Sequence, residues 1–262
     1  MDGSDRDLDA QAQILLDSLR PRRRVRPRLA PPLIDAEDRE IETFYGPVRA
    51  WRTPGRPITL AVHGWEDDNC LWGPFIERCA EIGRGVVAFD LPGHGFSQAE
   101  AAMPVAAAAA VRAVAEAMGP IDSIIAHSFG GMASVIALAE GLGVERVVTI
   151  ASGAHDGRAW AERFVERGAS REVVDRAHAL HQAATGTASF APDITLVLPQ
   201  MTARALIMHS TDDEVVSVDH AYRIADLWPG AKLALYDDLG HRPIAQDPAV
   251  LDRAVAFLEG GD

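Results

Sequence analysis

The chain has 262 residues, 48% of them hydrophobic, with a formal net charge of −13. That length suits one α/β core carrying an insertion, and that apolar content excludes a disordered chain. The acidity argues against a nucleic-acid partner, and two cysteines, Cys70 and Cys79, are too few for a disulfide framework and form no CxxC or Cys/His metal cluster.

The amino terminus, MDGSDRDLDA, is acidic and leads into no apolar h-region, so no secretory signal is expected. No run approaches the length of a membrane span, and a cytoplasmic, membrane-free protein is expected. In LDAQAQILLDSL, Leu8, Ala12, Leu15 and Leu19 recur at helical spacing. Six arginines and several prolines follow between Arg20 and Pro32, which reads as a solvated leader. Residues 1–40 therefore form an N-terminal helix and leader.

The pattern changes near residue 41. IETFYGPVRAWRT alternates around Gly46-Pro47 and predicts a hairpin. ITLAVHG (58–64), GVVAFD (85–90), SIIAHS (123–128), RVVTIAS (146–152), RALIMHS (204–210) and KLALYDD (232–238) are short Val/Ile/Leu-rich runs. Continuous apolar runs of this kind suit strands buried on both faces. Helix-compatible stretches separate most of them: Pro74–Ile82, Val105–Met118, Gly130–Leu142, Asp219–Trp228 and Pro248–Leu258. The alternation predicts a mostly parallel, twisted sheet with helices on both faces. Residues 41–152 and 204–262 make this core. The interval 153–203 is too long for an ordinary connection and carries helical patterning, so it is expected to fold as an inserted helical cap.

Ligands bind beyond the carboxyl ends of parallel strands. Ser128 ends one strand where a helix begins, inside Ala126-His127-Ser128-Phe129-Gly130. Small residues on both sides let strand and helix approach, which exposes the hydroxyl on a tight turn. The plainer alternative is a serine that caps the helix. A serine attacks only when a base takes its proton, and the base needs a carboxylate to orient it. His241, after the last strand, is the candidate base. Asp212, Asp213 and Glu214, after the preceding strand, are the candidate acids. Oxyanion donors fall on the N–H groups of Phe129, just after the serine, and Trp65, in the loop after ITLAVHG. His63 and His94 are read as loop-packing residues. DLPGHGFS lacks the third glycine and the acidic partner of a dinucleotide loop, so no cofactor is expected. His178 and His181 have no cluster around them, so no metal is expected either.

Taken together these stretches resemble the α/β-hydrolase superfamily. VHGW resembles its oxyanion loop, AFDLPGHGFS the D-x-x-G-x-G-x-S stretch, AHSFGG the nucleophile elbow, HSTDDEVV the acid loop and LGHRPIAQDP the histidine loop. They occur in family order. The resemblance implies a nucleophile at Ser128, a base at His241 and an acid at Asp213, with Asp212 in reserve and Asp156 a minor rival. Three departures stand out: Ala126 for the first elbow glycine, and Ser210 and Ser217 for a glycine and a proline of the acid loop. The implied activity is hydrolysis of a small or medium carboxylic ester. A thioester, a carbon–carbon bond next to a ketone, a lyase reaction or a ligand-receptor role would use the same scaffold. Trp160, Phe164 and Phe190, with Val174 and Leu180, are candidates to face an apolar substrate group, although each has packing as its plainer role. A monomer or homodimer acting on a small molecule is expected.

Overall fold

The computed structural model describes residues 3–22, 27–100, 103–154, 162, 164–186 and 192–261. Among the described residues, eight strands form one sheet in the order β1-β2-β4-β3-β5-β6-β7-β8. They are β1 Glu37–Ile41, β2 Val48–Arg52, β3 Ile58–Val62, β4 Gly85–Phe89, β5 Ser123–His127, β6 Arg146–Ile150, β7 Arg204–Ser210 and β8 Lys232–Tyr236. β1 and β2 pair antiparallel, with Ile41 opposite Val48, and β2 runs antiparallel to β4. All remaining pairs are parallel.

The hairpin turns where Gly46-Pro47 predicts it. The sheet nevertheless begins at Glu37, ahead of the boundary drawn at residue 41. EDREI has no apolar alternation because four of its five residues are exposed at the sheet edge. Charge on an outer strand discourages pairing with another chain.

The α-helices whose bounds fall within the described residues include α1 Gly3–Ser18, α2 Gly73–Glu81, α3 Pro104–Met118, α4 Phe129–Ala139, α5 Arg171–Thr185, α6 Asp219–Leu227 and α7 Pro248–Leu258; residues 162 and 164–166 are also helical. The strands feed two cores. Leu60, Val62, Val87, Phe89, Ile124 and Ile207 face one way, onto α3, α4 and α6. Ala61, Val86, Ala88, Ile125, Val148 and Met208 face the other way, onto α2 and α7. Period-two alternation between two covered faces is why these strands read as unbroken apolar runs. At the amino-terminal edge of the strands, buried Arg84 donates to Thr59 and Ser123 hydroxyls, the Leu258 carbonyl and Glu259, which ties α7 to the sheet. Cys70 lies in a short 3₁₀ turn and Cys79 in α2, where burial pushes its thiol up to about 12.

The 153–203 interval contains α5, capped by Ser170, whose hydroxyl accepts from the Val173 N–H. The amino-terminal helix α1 packs on it. Ala12 meets Ala177, with Leu15, Leu16, Met103 and Leu180 around them, and Arg176 pairs with Asp9. Among the described residues, no helix is long and apolar enough to cross a membrane.

Candidate active site

β5 delivers Ser128 at its carboxyl end, directly before α4. Ser128 has φ 50° and ψ −119°, a backbone state that L-residues rarely adopt. Such a state costs of the order of 1–3 kcal/mol and persists only where the surroundings enforce it. Three hydrogen bonds do so here: Ser128 N–H to the Ile150 carbonyl (2.9 Å), Gly131 N–H to the Ser128 carbonyl (3.0 Å), and Ser152 Oγ–H to that same carbonyl (3.0 Å). Gly130 is sterically required against backbone, and a side chain at Gly131 would displace Ser152. A Cβ at Gly130 would lie 2.4 Å from the His63 carbonyl oxygen, and one at Gly131 would lie 1.6 Å from Ser152 Oγ. The first elbow position needs no glycine, and Ala126 is fully buried there.

The loops after β7 and β8 bring their residues to the same edge. His241 Nε2 lies 2.9 Å from Ser128 Oγ, and His241 Nδ1 lies 2.7 Å from Asp213 Oδ2. A carboxylate only accepts, so Nδ1 carries the proton and Ser128 Oγ–H donates to Nε2. Asp213 Oδ1 accepts from the N–H groups of Val215 (2.8 Å) and Val216 (2.9 Å). Burial alone would raise the Asp213 pKa. Hydrogen bonds from His209, His241 and the Val216 N–H outweigh burial and hold the carboxyl well below its usual range.

The neighbouring acids are used otherwise. Asp212 accepts from Ser210 Oγ–H and from the Gly240 N–H (3.0 Å), so it secures the loop that carries His241 without touching the imidazole. Ser210, at the glycine position of the acid loop, thus has a partner of its own. Glu214 is exposed. Asp156 lies outside the described residues.

Several supporting groups were not legible in the sequence. His209 Nε2 is 3.2 Å from Asp213 Oδ2 and 2.9 Å from the Val216 carbonyl; both are acceptors, so that nitrogen carries the proton. His127 donates from Nε2 to the His241 carbonyl (2.9 Å). Arg242 reaches Asp67 with Nη2 (3.0 Å) and Nε (3.1 Å), and reaches the Glu66 carbonyl. The base loop is thereby clamped to the loop holding Trp65. Only adjacency to Ser128 and His241 could have flagged His127 and Arg242. Nothing in the sequence links Arg242 to Asp67, 175 residues away.

His63 donates from Nδ1 to the Gly64 carbonyl (2.7 Å) and accepts the Leu91 N–H at Nε2 (2.9 Å). His94 likewise donates to the Pro92 carbonyl and accepts the Glu66 N–H. Both therefore bond loop backbone. Burial lowers His63 to about 3 and His127 to about 4. Each is neutral in the fold and charges near 6.5 when unfolded, so the unfolded chain binds more protons between those values. Each contributes about 3 kcal/mol or more that is complete above pH 6.5 and is lost as pH falls towards the folded pKa. Asp90 opposes them: burial raises it to about 6, so its contribution declines as pH rises from 3.8 to 6. The two histidines outweigh the one carboxyl. The guanidinium-denaturation midpoint is therefore expected to fall steadily from pH 6.5 to pH 4, and less steeply in His63→Gln. A flat midpoint across that window would contradict the assignment.

A cavity of about 670 Å³ opens over Ser128. Trp65, Phe129, Met132, Val215 and Val216 line it. Trp65 and Phe129 meet edge to face at 5.4 Å, and the N–H of Phe129 is the first of α4. Phe164, Arg167 and Ala169 of the β6–β7 connection line the cavity, as do Leu15, Ser18 and Leu19 at the end of α1. Trp160 and Phe190 lie outside the described residues. Val174 is fully buried, and Leu180 packs against α1, so these two serve packing.

Residues 59–254 match the model of the alpha/beta hydrolase family. A search of curated proteins finds no match. Among solved structures, a carboxylesterase from Bacillus subtilis is similar at 21% identity and a TM-score of 0.65, over 97% of this chain and 98% of that one. An esterase from Pyrococcus furiosus is similar at 17% identity and a TM-score of 0.68, over 92% and 96%. An esterase from a Rhodococcus species is similar at 22% identity and a TM-score of 0.65, over 86% and 99%. At these identities the structures speak to the fold. The family match, covering most of the chain and every loop that carries Ser128, Asp213 and His241, decides membership: this chain belongs to the alpha/beta hydrolase family.

Proposed function

We propose that the protein is a serine esterase that cleaves a small or medium carboxylic ester through an acyl-enzyme. The observation that carries this reading is His241, bonded at once to Ser128 Oγ (2.9 Å) and Asp213 Oδ2 (2.7 Å) beside the 670 Å³ cavity. The names of the similar structures, esterases and a carboxylesterase, agree with it.

As Ser128 Oγ attacks the ester carbonyl, its proton passes to His241 Nε2 and an oxygen–carbon bond forms. Asp213 keeps the imidazole in the Nδ1–H tautomer and stabilises the imidazolium. The N–H groups of Trp65 and Phe129 receive the oxyanion, Phe129 with the added field of the α4 amino terminus. The bond to the alcohol oxygen then breaks, and His241 protonates the leaving alcohol. Water, deprotonated by His241, repeats the attack on the acyl-enzyme and releases the acid and free Ser128. The 153–203 segment acts as a cap that restricts water in the cavity.

A fluorophosphonate tests the nucleophile directly. One adduct per chain is expected, mapped to the peptide containing Ser128, together with turnover of p-nitrophenyl butyrate. A folded sample that neither labels nor turns over would overturn the reading.

A further inference from the structure

The amino-terminal helix α1 lies outside the family match, which begins at residue 59. Yet Leu15, Ser18 and Leu19 line the same cavity as Ser128. We infer that the end of α1 is the distal wall of the acyl pocket and sets the longest acyl chain the enzyme accepts. This rests on the esterase reading above.

Leu15 and Leu19 are four residues apart and share one face of the helical path, with Ala12 and Leu8 completing the stripe. Two contacts hold that face in place. Ala12, fully buried, sits against Ala177 of α5, and small residues at both positions let the helix axes approach closely. Arg176 of α5 grips Asp9, and that hydrogen bond holds the Asp9 carboxyl below its ordinary range. α1 is thus docked on the β6–β7 connection. Beyond its last turn the chain returns to the active-site loops: the Arg22 N–H donates to Glu66, next to Trp65.

The chemistry of the cavity selects its occupant. Among its described lining residues Arg167 alone is charged, and it is exposed; the α1 side offers Leu15 and Leu19, with Ser18 between them donating its hydroxyl to the Leu15 carbonyl. An unbranched aliphatic chain fits such a wall. The acyl group is the part of an ester that stays bound to Ser128 through both half-reactions, so it occupies the space beside the serine longest. A methylene added to or removed from an apolar pocket changes kcat/KM by roughly tenfold or more.

The experiment compares the full-length protein with Leu15→Trp and Leu15→Ala, each checked for folding by circular dichroism. The substrates are p-nitrophenyl acetate, butyrate, hexanoate, octanoate and decanoate. Leu15→Trp is expected to lower the ratio of kcat/KM on the longest ester that the unmodified protein hydrolyses well to kcat/KM on acetate by about tenfold or more. Leu15→Ala is expected to move the optimum to a longer chain, and it gives the reading if the tryptophan variant does not fold. Superimposable length profiles in all three proteins would overturn the inference. So would a change confined to a series of acetate esters of graded alcohols, because that would place the wall on the alcohol side.

Ethyl and octyl fluorophosphonates separate this inference from the function it rests on. In that reaction Ser128 Oγ bonds to phosphorus, fluoride leaves and the hydroxyl proton passes to His241. No labelling at Ser128 with either probe sinks the esterase reading. Labelling at equal octyl-to-ethyl rate ratios in the unmodified protein and the variants sinks the α1 wall alone.

Discussion

Ser128→Ala is expected to lower kcat for p-nitrophenyl butyrate by roughly four to six orders of magnitude, with the fold intact. The substitution removes a single oxygen. That atom is both the attacking group and the partner of His241 Nε2 at 2.9 Å. Alanine can take up the same backbone state, because the bonds that enforce it run through main-chain atoms of residue 128 to Ile150, Gly131 and Ser152. Losing one partly buried hydrogen bond costs about 1 kcal/mol, a small fraction of a domain's stability. The pair of measurements is therefore diagnostic: turnover collapses while the thermal midpoint moves by only a few degrees. Substantial turnover by a pure Ser128→Ala sample would remove the serine from the mechanism.

The sheet was legible because its inner strands are buried on both faces. A strand such as Ile58–Val62, all of it buried, cannot be written in residues that suit a loop. Edge strand β1 was illegible for the opposite reason: EDREI answers to solvent and to the need to avoid pairing, not to a core. The elbow was legible because sterics dictate it, as the Gly130 and Gly131 contacts make plain. The choice between Asp212 and Asp213 was not legible from composition. Two adjacent carboxylates differ only in where the backbone aims them, and that is set by the turn after β7, where the N–H groups of Val215 and Val216 draw Asp213 inward. The α1 stripe of Leu8, Ala12, Leu15 and Leu19 was readable as a helix face. Its partner was not, because α5 lies more than 150 residues away and small-residue packing leaves no pattern in either helix alone.

Asp213→Asn is expected to reduce kcat by about 10⁴-fold while leaving the protein folded and KM nearly unchanged. The size of the effect follows from the direction in which the amide must point. Asp213 Oδ1 accepts from two N–H groups, those of Val215 and Val216. An asparagine satisfies these donors only by placing its carbonyl oxygen there. Its NH₂ group is then forced to the Oδ2 position, 2.7 Å from His241 Nδ1 and 3.2 Å from His209 Nε2. His209 cannot offer a lone pair from Nε2 while donating to the Val216 carbonyl (2.9 Å), so the amide is accommodated at His241. His241 must accept at Nδ1 and therefore carry its proton on Nε2, facing Ser128. In that tautomer the base has no lone pair for the serine proton. Raising the pH does not restore it, because the misplaced proton belongs to a neutral imidazole. The test is the pH profile of kcat for Asp213→Asn from pH 6 to 9, read beside Asp213→Ala. The asparagine variant is expected to stay low across the range. The alanine variant, with no amide to impose the wrong tautomer, is expected to keep at least as much activity as the asparagine variant despite losing more of the side chain. Near-normal turnover in Asp213→Asn would show that Asp213 does not set the protonation of His241.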